Sequence, residues 1–162
     1  EFDMALDTEA PYEAFRERIN TQKDDVMSLL RGLKHQGKRI HIYGASTKGN
    51  VLLQWYGIDH TLIDAAAERN SHKVGGKTLG TEIPMISEEN SRAEHPDAYL
   101  VLPWHFKDEF LKREQETIRA GAIFIFPLPE LEVVTSENID EKLHELAQNS
   151  AQTSEQLVAL LG

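Results

Sequence analysis

The sequence predicts an α/β domain of Rossmann-like design, with a parallel sheet and helices on its flanks. Two observations predict it. Short continuous apolar runs alternate along the chain with segments of helical periodicity, the pattern of strands joined by helical crossovers. The runs lack apolar–polar alternation, as strands covered on both faces do.

The elements follow in order. Residues 9–36 carry Tyr12, Phe15, Ile19, Val26, Leu29, Leu30 and Leu33 at near-helical spacing, which predicts a long first helix. Asp7 or Thr8 is the expected cap, Pro11 suits the first turn, and Gly37 stops the helix. Residues 39–43 form an expected strand that breaks at Gly44, and 48–56 a helix that ends at Gly57. Residues 62–66 are an expected short strand, followed by a long glycine-rich loop over 67–81. Residues 83–86 are extended, and Ser87 with Glu89 and Asn90 marks a helix start. Residues 98–102 form a strand ended at Pro103, 106–119 a helix ended by Gly121, and 122–126 the last clear strand. Pro127 and Pro129 close that strand. The tail 137–161 has a polar, interrupted helical pattern, and the stretch 148–154 is expected to be a flexible join between two helical pieces. Three regions are expected: a helix over 1–37 packed on the domain, the Rossmann-like domain over 38–134, and an acidic, partly helical tail over 135–162.

A chain of 162 residues suits one such domain with appendages. With 40% hydrophobic and 27% charged residues it has a globular composition rather than a disordered one. Cysteine is absent, which excludes disulfides, thiol nucleophiles and thiolate metal sites. The net charge of −10 is uneven: residues 38–126 hold 11 basic and 12 acidic groups, whereas 127–162 hold 1 and 7. Such a chain is a poor sequence-independent binder of nucleic acid, so no nucleic-acid partner is expected. Residues 38–77 are locally positive, with 6 basic and 3 acidic groups, which suits a small anion. No run of 18 apolar residues and no signal-peptide pattern is visible, so no membrane partner and a cytoplasmic location are expected. The first residues, Glu1-Phe2-Asp3, lack an initiator Met, as expected of a processed chain or a piece of a longer one.

Open α/β sheets bind ligands beyond the carboxyl ends of their strands. Three segments stand there. The first is the turn Gly44-Ala45-Ser46-Thr47-Lys48-Gly49-Asn50, which runs from a strand straight into a helix. Amides at such a helix start, with the helix dipole, favour an anion. Gly44 permits a tight turn and Gly49 a close approach, Ser46 and Thr47 bring hydroxyls, and Lys48 brings a charge. The order is neither a Walker A motif nor the dinucleotide G-x-G-x-x-G. The competing reading is a plain capped turn. The second segment is the loop with Glu68, Arg69, Asn70 and Lys73, where Asp64 stands near the place of a ribose-binding acid. A solvated loop is the alternative. The third is Pro103-Trp104-His105-Phe106: Trp104 could stack on a base or sugar, and His105 brings an imidazole. The alternative puts Trp104 and Phe106 in the core and has His105 cap the next helix. No metal constellation and no hydrolase elbow is visible.

Five separated segments carry a resemblance. They are Tyr43 to Asn50, Ala67 to Asn70, Gly80 to Pro84, Leu102 to Phe106 and Phe126 to Pro129. Together they resemble the C-terminal domain of the S-adenosylmethionine-dependent sugar C-methyltransferases, over roughly residues 11–134. The resemblance implies a parent chain with a zinc-binding N-terminal region and a central domain that holds the methyl donor and the acid–base residues. This chain has neither cysteines nor a Glu-x-Gly-x-Gly donor motif, so it is expected to hold no cofactor and to be inactive alone. By resemblance, Ser46, Thr47, Lys48 and Gly49 face the diphosphate of a nucleotide-linked deoxysugar, and Gly44 and Asn50 of the same turn are further substrate-binding candidates. Asn70, Lys73, Trp104, His105 and Phe106 are candidates for its nucleoside and sugar. The expected partners are that nucleotide sugar and the methyltransferase domain of the parent. The alternatives are a stand-alone anion-binding module of nucleotide or CoA type, or a docking or dimerisation domain. A dehydrogenase is disfavoured by the missing glycine pattern and the missing Tyr-x-x-x-Lys.

Overall fold

The structure is a computed structural model, and it describes residues 7–149. A six-stranded sheet runs through it in the order β3-β2-β1-β4-β5-β6. The strands are β1 (Ile40–Tyr43), β2 (Ala65–Glu68), β3 (Met85–Ser87), β4 (Ala98–Val101), β5 (Ile123–Phe126) and β6 (Glu132–Val134). The first five pair in parallel, and β6 joins β5 antiparallel. The helices are α1 (Ala10–His35), α2 (Thr47–Tyr56), α3 (Glu88–Ala93) and α4 (Lys107–Arg119). A 3-10 turn, Trp104–Phe106, leads into α4, and a further helix runs from residue 139 through 149.

Alternation along each strand divides the core in two. Ile40, Ile42, Leu100 and Leu102 face α1 and α2, where Leu30, Leu33, Leu52 and Leu53 bury against them. Tyr43, Tyr99, Val101 and Phe124 face the other way, against Leu111 and Ile118 of α4 and Ile139 of the last helix. Both faces are covered, which is why the strands read as continuous apolar runs.

Four expectations need correction. The second strand is Ala65–Glu68, three residues later than expected. The Asp64 carboxylate accepts the Ile40 amide at 2.9 Å and pairs with Lys34 at 2.7 Å, so it ends the turn before the strand rather than lying inside one. The sheet is mixed, because the chain reverses after Pro127 and Pro129 and adds β6. α1 begins at Ala10 with Glu9 at the cap position and no side-chain cap bond, while Pro11 sits in the first turn as expected. The helical tail continues through residue 149, so Gln148 and Asn149 belong to a helix, and the rest of the expected flexible join lies outside the described residues.

Candidate functional site at the carboxyl edge

The chain lays β2 and β3 on one side of β1, then crosses to β4 on the other. The carboxyl ends of β1 and β4 are therefore the switch point of the sheet, where this fold class opens its crevice. The turn after β1 and the segment after β4 meet there. Gly44 has φ +80, and a Cβ on it would lie 2.7 Å from Pro103 Cγ, so both its conformation and its contact require glycine. A Cβ on Gly49 would lie 2.5 Å from Leu102 Cβ. Gly49 thus lets α2 pack closely against Leu102, the residue that follows β4.

Ser46 is the N-cap of α2, and its hydroxyl accepts the Gly49 amide at 3.0 Å. That leaves the Thr47 and Lys48 amides at a helix start, where no intrahelical acceptor exists. Thr47 and Lys48 are exposed, and among the described residues Lys48 has no carboxylate partner. A cap and an anion site are compatible here, since the cap consumes one amide of several.

The loop after β2 closes on the same turn. Lys73 donates to the Ala45 carbonyl at 3.2 Å and pairs with Glu68 at 3.1 Å. Glu68, at the carboxyl end of β2, also accepts the Asn70 amide at 2.9 Å. Asn70 is exposed, and its side-chain oxygen accepts the His72 amide at 3.1 Å. Asn50 is half-buried and donates to the Leu79 carbonyl at 3.2 Å. Asp64 lies at the amino end of β2, the opposite edge from the crevice, so it is not placed to hold a ribose there.

Beside the turn is a recess of about 350 Å³, lined in part by Tyr43, Glu68, Arg69, Phe106, Phe110 and Arg113. Arg69 is exposed and, like Lys48, lacks a carboxylate partner among the described residues. Under the recess, Glu114 is only 3% exposed. Its carboxylate accepts Tyr43 at 2.6 Å, Arg92 at 2.8 Å and Arg113 at 3.1 Å. Burial pushes the Glu114 carboxyl up, but these donors outweigh burial and hold it below the usual glutamate value. Burial and the bond to Glu114 raise the Tyr43 hydroxyl well above its ordinary value, so it stays protonated. Arg113 also bonds the Tyr43 hydroxyl and lies over the Tyr43 and Phe110 rings, which fixes the guanidinium at the recess wall.

His105 and Phe106 are exposed, with ring centroids 4.3 Å apart, and His105 makes no cap bond to α4. Trp104 is half-buried and packs against both halves of the core. Trp104, His105 and Phe106 also line a second recess of about 370 Å³ with Leu128 and Glu132. The structure thus gathers the turn, Lys73 and residues 104–106 at one edge. Sequence reasoning missed Phe110, Arg113 and Glu114. Glu114 had a signal: it shares the spacing of Leu111 and Ile118, the buried stripe of α4.

Fold and edge together define a Rossmann-like domain with an aromatic, charged crevice at its switch point, where Arg69 and Arg113 share the wall with Glu68, Glu88 and Glu109. Comparison with known proteins fixes the family. The family described as the C-methyltransferase C-terminal domain matches residues 1–129, and the chain belongs to it. The chain is also similar to the C-methyltransferase NovU of Streptomyces niveus, with 35% identity over 122 residues. That match covers 75% of this chain and 28% of the relative.

Proposed function

We propose that this chain holds a nucleotide-linked deoxysugar for an S-adenosylmethionine-dependent sugar C-methyltransferase, and that it transfers no methyl group alone. The supporting observation is the Thr47–Lys48 helix start at the switch point, with a lysine that no carboxylate among the described residues neutralises. A diphosphate fits there, accepting the two open amides and the Lys48 ammonium. The nucleoside fits the neighbouring recess, its ribose hydroxyls beside Glu68 and its base beside Phe106 and Phe110, with Arg69 as a second cation. Trp104 and His105 stand on the far side of Phe106, on the path of the sugar. S-adenosylmethionine, held by the methyltransferase domain of the parent, supplies the methyl group. This domain contributes orientation, which holds the acceptor carbon where the methyl group arrives.

Calorimetric titration of the chain with thymidine and uridine diphosphates at low salt tests the reading. CoA serves as a competitor of different class. The expected result is saturable binding of a nucleoside diphosphate, weakened about tenfold in Lys48→Ala, the scale of one charge-assisted contact. Lys48 is exposed and has no partner among the described residues, so the variant keeps its fold. Absence of saturable nucleotide binding by the folded chain, or equal affinity in the variant, contradicts the proposal. Selective CoA binding would instead favour the stand-alone module.

A further inference from the structure

α1 has 26 residues and so is about 39 Å long, whereas the four-residue strand β1 that it covers spans about 13 Å. Its buried residues, Val26, Met27, Leu30 and Leu33, all lie in its second half. The C-terminal end of α1 leads through Gly37 to the amino end of β1. The first half, residues 10–22, therefore overhangs the carboxyl edge, the edge of the proposed site. Gln22 pins the overhang to the loop after β5, donating to the Pro127 and Pro129 carbonyls at 2.7 Å each. Between them lies a groove of about 1080 Å³, lined by Phe15 and Ile19 of α1 and by Trp104, Leu128 and Leu131. Phe15 is 55% exposed, a large apolar side chain with little burial of its own.

The groove is about three times the volume of the recess beside the turn and mostly apolar, so it fits a protein segment better than a nucleotide. Two facts identify the occupant. First, the family is that of a C-terminal domain, and the match fills 28% of the relative. The larger part of such a chain therefore lies ahead of this domain and enters at the overhanging end of α1. Second, the groove rim carries Glu17, Asp25 and Glu130 against Arg18, an acidic excess. We infer that the overhanging half of α1 and the groove beneath it form the docking surface for the preceding, methyl-donor-bearing portion of the methyltransferase, which presents an apolar ridge with a basic flank. The inference rests on the reading of this chain as the sugar-holding part of that enzyme. The docked portion then meets the sugar across Trp104, which lines both the groove and the recess at residues 104–109.

Hydrogen exchange tests it, run on the full-length methyltransferase that carries this domain and on the isolated chain. Amides of residues 10–22 are expected to exchange at least tenfold more slowly in the full-length protein. Phe15→Asp is expected to abolish that protection and to lower methyl transfer, while nucleotide affinity of the isolated chain stays unchanged. Equal exchange in the two proteins overturns the inference. So does protection that appears in the isolated chain as its concentration rises, since a second copy would then be the occupant. Nucleotide affinity is read separately, so failure of docking and failure of the sugar-holding reading are distinguishable.

Discussion

His41 sits on β1 with no exposure, its Nδ1 2.8 Å from the Ser91 hydroxyl and its Nε2 facing Glu94 at 3.4 Å. Burial lowers its pKa below the ordinary 6.5; Glu94 and Asp64 oppose the shift, and Arg39 and Lys34 add to it. A folded-state pKa below the unfolded one means that the unfolded chain binds the proton more readily. His41 therefore contributes stability that is present above about pH 6.5 and is lost as pH falls toward its folded value. Urea midpoints are expected to fall between about pH 7 and pH 5, and His41→Gln is expected to flatten that limb. An unchanged slope in the variant would refute the assignment. Neighbouring residues show what could be foreseen. The cap at Ser46 was legible, because a hydroxyl directly before a helix has one common use. The partner of Gly49 was not, because its reason is Leu102, more than fifty residues away in the chain.

At the scale of elements, α4 binds the two halves of the second core face through one carboxylate. Glu114 joins β1 through Tyr43, α3 through Arg92 and its own helix through Arg113 and Thr117. Removing its charge strands cations that are 38–43% exposed, so solvent offsets part of the loss. Glu114→Gln is expected to destabilise the domain by about 1–3 kcal/mol in urea unfolding, below the cost of breaking a fully buried pair. A change under about 0.5 kcal/mol would mean that the network contributes little. Most elements were legible because glycine and hydroxyl punctuation mark their ends: Gly57 has φ +73 after α2, and Ser87 caps α3 by accepting the Asn90 amide. β2 was placed early because Leu62 and Ile63 are as apolar as the strand itself. Its true limits depend on the Lys34–Asp64 pair, a contact between distant segments. β6 was missed because three residues after two prolines carry almost no local signal, and their pairing to β5 is decided by the edge that β5 leaves open.

For the molecule as a whole, the two edges of the sheet differ in the cations they leave without a carboxylate among the described residues. The amino edge carries paired charges, Lys34 with Asp64 and Lys38 with Asp97. The carboxyl edge carries Lys48 and Arg69, cations without a carboxylate partner among the described residues, and the overhang of α1 rises beside it. The carboxyl edge was legible from the alternation of strands and helices, since such sheets bind beyond the carboxyl ends of their strands. The switch between β1 and β4 depends on the strand order, which only the fold supplies. The recess beside the turn was not legible, because Phe110 and Arg113 reach it from α4 only once the fold is closed. The most direct test of the sugar-holding account is an amide NMR titration of the isolated chain with thymidine or uridine diphosphate. The account predicts saturable shifts of the Thr47 and Lys48 amides with smaller ones at Glu68 and Phe106, and loss of the turn shifts in Lys48→Ala. Shifts absent from residues 44–50, or confined to the amino edge around Asp64 and Asp97, would contradict it.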